Sequence, residues 1–325
     1  MSEILVVTSP GGKQCSHLLP LLSSGDSNFS LRLAAHSEKS ASKLQTRYPD
    51  ADIVVVDLVS LANCREIVKG ASAVFHTGPS IHSREREMGF NMIDAATAES
   101  QVPGNHFRHF VFSSVLGTQH RKLMQHDLKS YVEERLMLSP IKWTILQPTN
   151  FMDSFPVARL ANMEIPVMQR MWDPEVANSV IALQDLAEAT AKVLNEGEKH
   201  YYAQYPLCGT APISDADVAK VIGKQIGKGV RVNKPSFEKG VDYLMSTLFG
   251  AGKTYADGAH FGFGINGTEG DLRPDITKDE AERLVLFYNR YGLVGNPNVL
   301  KSLLGREPTS VEEWVKIQLV EAAFE

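Results

Sequence analysis

Short apolar runs and amphipathic segments alternate through the first half of the chain. The runs are Ile4–Val7, Leu31–Ala35, Ile53–Val56, Ala73–Phe75, Phe110–Phe112 and Thr144–Leu146. Each is continuous rather than alternating, the pattern of strands covered on both faces of a parallel sheet. Between them Lys39–Tyr48, Leu61–Lys69, Glu85–Ala98 and Leu128–Leu138 carry apolar residues at a spacing near 3.6 and predict helices. A βαβαβ order with right-handed crossovers gives an α/β fold, a doubly wound parallel sheet of the Rossmann type.

Pro148 marks a change of pattern. The stretch Phe151–Pro174 is irregular and rich in Met and aromatic residues. A helix at Leu183–Leu194 and a strand at Tyr205–Cys208 then return to the sheet. The expected organisation is a cofactor-binding domain of residues 1–150, joined by 175–210. A smaller, mostly helical substrate domain takes 151–174 and 211–325. After Pro212 three helices carry start signals: Ser214-x-x-Asp217, Thr277-x-x-Glu280 and Thr309-x-x-Glu312. The second should stop at Gly292. Between the first and second, Phe249–Asp271 holds seven glycines. It reads either as a plain surface loop or as a lid over a ligand.

Net charge is −5, so no basic excess exists to neutralise nucleic-acid or membrane phosphates. Cys15, Cys64 and Cys208 lie far apart without a C-x-x-C, which gives neither a disulfide framework nor a metal site. A reducing, cytoplasmic setting is expected. The opening apolar run is too short for a signal peptide, and no apolar stretch is long enough to span a bilayer. The expected partner is a small-molecule substrate, and the chain a monomer or homodimer.

The first strand breaks at Thr8-Ser9-Pro10-Gly11-Gly12-Lys13-Gln14-Cys15, a strand–turn–helix junction. Such turns offer backbone N–H groups and a helix N-terminus to a dinucleotide pyrophosphate. In G-x-x-G-x-x-G register the three positions are Ser9, Gly12 and Cys15, so two glycines are missing. Thr8, Gly11, Gly12 and Gln14 are the candidate cofactor contacts. Beyond the second strand come His36, Ser37 and Lys39, with no acid directly at the strand tip, although Glu38 lies among them and the segment also reads as a solvated turn. The lack of an acid at the tip favours the 2′-phosphate of NADP(H) over the ribose hydroxyl of NAD. Asp57 and Leu58 can take the adenine, although Asp57 also reads as a helix cap. Thr77-Gly78-Pro79 follows the fourth strand, where Gly78 would let the backbone approach the cofactor. Ser113 ends the fifth strand.

The tyrosine-dependent short-chain dehydrogenases place Tyr four residues before a Lys. Here Lys129 is preceded at that distance by Gln125. His126 lies three residues before Lys129 and can share its helical face. Lys129 and His126 are therefore the candidate catalytic residues, His126 reading equally as a structural histidine.

Several segments resemble the NmrA-like family of atypical short-chain dehydrogenases, in its fungal members. They are Phe110–Val115, Lys129–Glu134, Trp143–Met152, Ala182–Ala187 and the tail Tyr288–Val315 with Gly295-Asn296-Pro297. The resemblance implies that Lys129, Thr77–Pro79 and Pro148, Asn150 and Phe151 surround the nicotinamide, and that the C-terminal helices wall the substrate. Phe155, Met168 and Trp172 are the candidate substrate contacts, although most Met and aromatic residues of this stretch read equally as core. The family holds reductases, tailoring enzymes of secondary metabolism and non-catalytic cofactor sensors. The expected function is an NADP(H)-dependent oxidoreductase acting on a bulky apolar molecule such as an alkaloid, with hydride-coupled ring formation as one form. A sensor and a cyclase are the alternatives.

Overall fold

A computed structural model describes residues 3–24, 28–79, 82–249 and 274–324. The chain divides into two compact units, Met1–Pro148 with Leu183–Pro206, and Thr149–Ala182 with Leu207–Glu325. Residues 175–182 and 207–210 thus group with the second unit. The glycine-rich segment lies outside the described residues from 250 onward.

In the first unit strands and helices alternate without exception: β1 (Glu3–Thr8), α1 (Lys13–Ser23), β2 (Phe29–Ala35), α2 (Glu38–Arg47), β3 (Asp52–Val55), α3 (Leu61–Val68), β4 (Ala73–Thr77), α4 (Glu85–Ser100), β5 (His109–Ser113), α5 (Met124–Met137) and β6 (Trp143–Pro148). The chain then builds β7 (Asn150–Phe151), α6 (Val157–Ala161), β8 (Val167–Gln169), β9 (Ala177–Asn178) and β10 (Val180–Ile181) in the second unit. It returns through α7 (Leu183–Glu196) and β11 (Ala203–Leu207).

The seven strands are ordered β11-β6-β5-β4-β1-β2-β3. Neighbours from β6 through β3 pair in parallel. This is the doubly wound Rossmann order, with the switch point between β1 and β4. β4 and β5 are buried at every position, as their continuous apolar runs require. β3 is not: Asp52 and Val55 are exposed, because flanking helices no longer cover the sheet edge. One face packs Val6, Val74, Phe110 and Phe112 against Ile67, Met92, Ile93, Val132 and Leu136 of α3, α4 and α5. Apolar burial of this kind contributes about 25 cal/mol per Å².

The second unit continues with β12 (Ile213–Ser214), α8 (Asp215–Ile226), β13 (Arg231–Asn233), α9 (Phe237–Phe249), α10 (Pro274–Arg290), α11 (Asn298–Leu304) and α12 (Val311–Phe324). Its strands form three small pairs, β7 with β10, β8 with β13 and β9 with β12. Met152, Phe155, Leu160, Met168, Val218, Ile222 and Trp314 form its core.

Five described helices follow Pro212, two more than the start signals predict. The Ser214 cap holds, its hydroxyl accepting from Asp217 N at 3.0 Å. Thr277 does not start a helix, since α10 already begins at Pro274, where a missing N–H costs nothing. Thr309 is off by one residue. Ser310 forms the capping box instead, accepting from Glu313 N at 3.2 Å while Glu313 Oε2 accepts from Ser310 N at 2.9 Å. Gly292 follows α10 with φ +65°, a left-handed conformation that ends a helix.

Candidate functional site

β1 pairs with β4 on one side and β2 on the other, so its carboxyl end opens at the switch point. Ser9 follows it with φ +50°, in the region that favours glycine. The chain thus keeps a glycine-like bend where the glycine is gone, at a cost of about 1–2 kcal/mol. Two contacts hold the bend. Ser9 Oγ donates to Thr77 O at 2.9 Å, and Gly12 N donates to Ser9 O at 2.9 Å. A Cβ on Gly12 would stand 3.1 Å from that same Ser9 oxygen, whereas one on Gly11 would meet nothing within 4 Å. Cys15 fills the third glycine position as a buried side chain, its thiol pushed up to about 12 by burial.

Gly12 is also the N-cap of α1, and no side chain caps that helix. The next two helices differ: Ser37 caps α2 through Ser40 N, and Ser60 caps α3 through Asn63 N. The first-turn N–H groups of α1 therefore meet no capping side chain, beside an open Gly11. This is the arrangement that receives a phosphate.

Thr8 acts inside the sheet rather than toward a ligand. Its buried hydroxyl donates to Thr77 O at 3.0 Å and accepts from Thr77 N at 2.9 Å. It also lies 3.0 Å from His76 Nδ1. Gln14 and Ser113 come together, Ser113 Oγ donating to Gln14 Oε1 at 2.7 Å. At the tip of β2, His36 and Lys39 are exposed, and the Ser37 oxygen is engaged in its cap. Asp57 is exposed and accepts from Val59 N at 2.9 Å. It does not cap α3, because Ser60 does. Leu58 packs half-buried on the core, and Asn91 Nδ2 donates to Leu58 O at 3.1 Å and Val59 O at 2.7 Å.

The reason for Gly78 lies inside the protein. A Cβ there would stand 2.5 Å from Oε1 and 3.0 Å from Cγ of Glu85, so the glycine admits a buried carboxylate. Thr77 is buried and Pro79 half-buried beside it. Glu85, in the first turn of α4, pairs with Lys129 Nζ. Burial pushes its carboxyl up and Lys129 pulls it back. The ammonium sits 5.7 Å from the centre of the Phe112 ring. On that ring His76 stacks at 5.7 Å, kept neutral by burial and by Lys129, which lower it to about 3.

Burial holds His126 as a neutral imidazole near pH 7. It is fully buried, its Nδ1 lies 2.9 Å from Gly117 O, and burial lowers it to about 4. One turn past Lys129, the buried Glu133 accepts from Ser114 at 2.5 Å, Thr118 at 3.0 Å and Gln147 at 2.8 Å. These bonds fix α5 against the ends of β5 and β6. Pro148 is buried, its carbonyl accepting from Leu116 N at 3.0 Å. Glu85 and Glu133 are invisible to spacing arguments, since an acid in a helix reads as solvated until its partners are known. His76 carried one signal, a polar residue inside an apolar strand.

In the second unit, Asn150 Oδ1 accepts from the Tyr288 hydroxyl at 2.9 Å, and Phe151 is half-buried beside it in β7. Trp172 stacks on Tyr288 at 4.2 Å. Arg170 lies 4.8 Å from the Phe155 ring and 5.5 Å from Trp172, and donates to Asp215 at 2.5 Å in a buried pair. Phe155 and Met168, expected to meet substrate, are instead buried in the core with Trp314. Large apolar side chains reach that interior more often than a ligand wall. Trp172 stays partly exposed.

No group of three or more His, Cys, Asp or Glu among the described residues could hold a metal. No described helix is long and apolar enough to cross a membrane.

Three solved structures place the fold. The triphenylmethane reductase of Citrobacter sp., complexed with NADP(H), is 16% identical with a TM-score of 0.72, covering 96% of this chain and 99% of that one. The NADPH-dependent quinone oxidoreductase of Escherichia coli, complexed with NADPH, is 18% identical with a TM-score of 0.68, covering 97% and 99%. The negative transcriptional regulator NmrA, in complex with NAD, is 12% identical with a TM-score of 0.71, covering 100% and 98%. At these identities the likeness establishes the fold. No curated protein matches the sequence. The model of the NmrA-like family matches residues 1–245, and the chain belongs to that family.

Proposed function

We propose that the protein is an NADP(H)-dependent oxidoreductase whose substrate is a bulky, mostly apolar small molecule. The observation that carries the reading is the first βα turn. Ser9 keeps the bend, Gly11 leaves it open, and α1 offers its first-turn N–H groups without a capping side chain. These features suit a pyrophosphate. His36 and Lys39, exposed at the tip of β2, suit a 2′-phosphate. Ser113 and Lys129 stand where strands β5 and β4 end, the region that takes the nicotinamide in a doubly wound sheet. A bound nicotinamide cofactor supplies the hydride. Lys129 orients it by donating to ribose hydroxyls, and His126, neutral and enclosed, supplies no proton.

The finer reading names an alkaloid-like product of secondary metabolism as substrate, with ring closure coupled to reduction in one form. Its support is the family resemblance of the segments around Lys129 and Pro148. The test is a panel of quinones, triphenylmethane dyes and cyclic iminium compounds, followed by nicotinamide absorbance. Substrate-dependent loss of absorbance supports an enzyme. Tight cofactor binding with no turnover on any member removes it.

A second reading is a cofactor-binding regulator without turnover. One observation favours it: Gln125 stands where a catalytic tyrosine would, and the nearby histidine is neutral and buried.

A further inference from the structure

Lys129 is held by a partner that no spacing rule anticipates. Its side chain is 11% exposed and that of Glu85 only 1%. A carboxylate buried so deeply is costly unless it is paired. The surroundings are built to admit it. Gly78 leaves out the Cβ that would strike Glu85 Oε1 at 2.5 Å, and Glu85 sits in the first turn of α4, where the helix dipole favours negative charge. The Phe112 ring lies beneath the ammonium at 5.7 Å. His76, stacked on the same Phe112 ring, is uncharged near neutral pH and adds no repulsion. Lysine has a flexible four-carbon stem, and its head is placed only by what it binds.

We infer that Glu85 is a positioning residue for Lys129: its carboxylate fixes the ammonium at the ends of β4 and β5, and position 78 is glycine to admit that carboxylate. The inference rests on the reading in which Lys129 touches the bound cofactor. The Glu85 carboxylate pairs with Lys129 and fills the space a Cβ on Gly78 would take. Its effect on a ligand passes through the lysine, as order gained before binding rather than during it.

A double-mutant cycle on NADPH affinity tests this, with Glu85→Gln, Lys129→Met and the double variant measured by titration calorimetry below their melting temperatures. Glu85→Gln is expected to weaken NADPH binding roughly 3- to 10-fold, the cost of ordering one rotamer-rich side chain. Lys129→Met should weaken it at least as much. The double variant should bind like Lys129→Met alone, because without an ammonium Glu85 has nothing to place. Glu85→Asp keeps the charge at shorter reach and should fall between wild type and Glu85→Gln. Gly78→Ala covers the case in which Glu85→Gln fails to fold: its methyl displaces the carboxylate while both charges remain, and it should reproduce the loss.

Additive losses in the double variant, unchanged affinity in Glu85→Gln, or tighter binding there would each overturn the inference. Tighter binding would mean that Glu85 competes with the ligand. If Lys129→Met binds NADPH as wild type does, the reading of Lys129 fails and the inference falls with it. If Lys129→Met is impaired and Glu85→Gln is not, only the inference falls.

Discussion

Ser113 Oγ donates to Gln14 Oε1 at 2.7 Å, and this one bond ties the end of β5 to the first turn of α1. It fixes the side chain of Gln14, the second residue of the uncapped helix α1. Ser113→Ala should lose about 1 kcal/mol of stability, the net value of a hydrogen bond, and leave a half-buried amide oxygen with one donor fewer. NADPH affinity should fall several-fold as Gln14 loosens. Urea unfolding and calorimetric titration of the same variant measure both. Unchanged values in both would remove Gln14 and Ser113 from the site.

Ser9 offers a test of strain. Ser9→Gly relieves a left-handed residue worth about 1–2 kcal/mol. It also gives up the bond to Thr77 O, worth about 1 kcal/mol, and adds unfolded-chain entropy of about 0.4–1 kcal/mol. The terms nearly cancel, so Ser9→Gly should unfold within about 1 kcal/mol of wild type. Ser9→Ala keeps the strain and loses the bond, and should be the less stable of the two. The reverse order in chemical denaturation would show that the bend is not strained.

The sheet was readable because β4, β5 and β6 are buried strands in which polar residues are few, so the apolar runs nearly coincide with the elements. What failed did so for physical reasons. Thr309-Ser310-Val311-Glu312-Glu313 contains two overlapping capping pairs, and letters alone cannot choose between them. α9 is not among the helices the sequence predicts, and Gly240 interrupts it. That glycine exists for a tertiary reason, since a Cβ there would lie 2.1 Å from Met171 O. Glu85 and Lys129 are 44 residues apart, and nothing local to either announces the pair. Met168 shows the opposite ambiguity: a Met-rich stretch reads both as core and as a ligand wall, and Met152, Phe155 and Met168 are core whereas Met171 and Trp172 stay half-buried.

Acid should destabilise the protein through its buried histidines. Burial lowers His76 and His109 to about 3 and His126 to about 4, from an ordinary 6.5. Between the ordinary and the folded values the unfolded chain binds protons that the folded chain refuses. Stability therefore rises with pH across that window and is lost as pH falls from about 6.5 toward 4. The loss is on the order of 1 kcal/mol per pH unit for each histidine. Glu85 and Asp215, raised by burial, act in the opposite sense above the usual carboxylate range, but Lys129 and Arg170 oppose that rise. The histidines should win. Melting temperatures from pH 7.5 to 4.5 measure it, and a flat profile would refute it.

NADPH should bind more tightly than NADH, and Lys39→Glu should narrow or reverse the preference. Lys39 is exposed, so its contribution is expected near the 0.2–1 kcal/mol of surface pairs, up to about fivefold in affinity. Added salt should shrink the preference, since the Debye length drops from about 10 Å at 0.1 M to about 3 Å at 1 M. Titration of both nucleotides at two ionic strengths decides it. A preference for NADH would move the cofactor assignment to NAD.

Lys129 and His126 share α5, yet their variants should separate cleanly. Lys129→Ala removes the ammonium that Glu85 and Phe112 hold at the strand ends, and with it the group proposed to orient the nicotinamide ribose. A misplacement of about 1 Å can cost around 100-fold in rate, so kcat/KM should fall by about that factor. Stability should fall too, because the buried Glu85 carboxylate loses its cation, a change worth about 3–5 kcal/mol where a buried pair is broken. Lys129→Met restores part of the packing but not the charge. His126→Gln should behave differently. The imidazole is buried, neutral and bonded to Gly117 O, so its removal loosens the loop before α5 and costs stability. Turnover per folded molecule should stay within a few-fold of wild type. If His126→Gln instead lost about 100-fold or more, as a missing general acid typically would, the ring must charge during turnover despite its burial. If Lys129→Ala kept both turnover and NADPH affinity, proton transfer and cofactor positioning would lie elsewhere, and the regulator reading would take precedence.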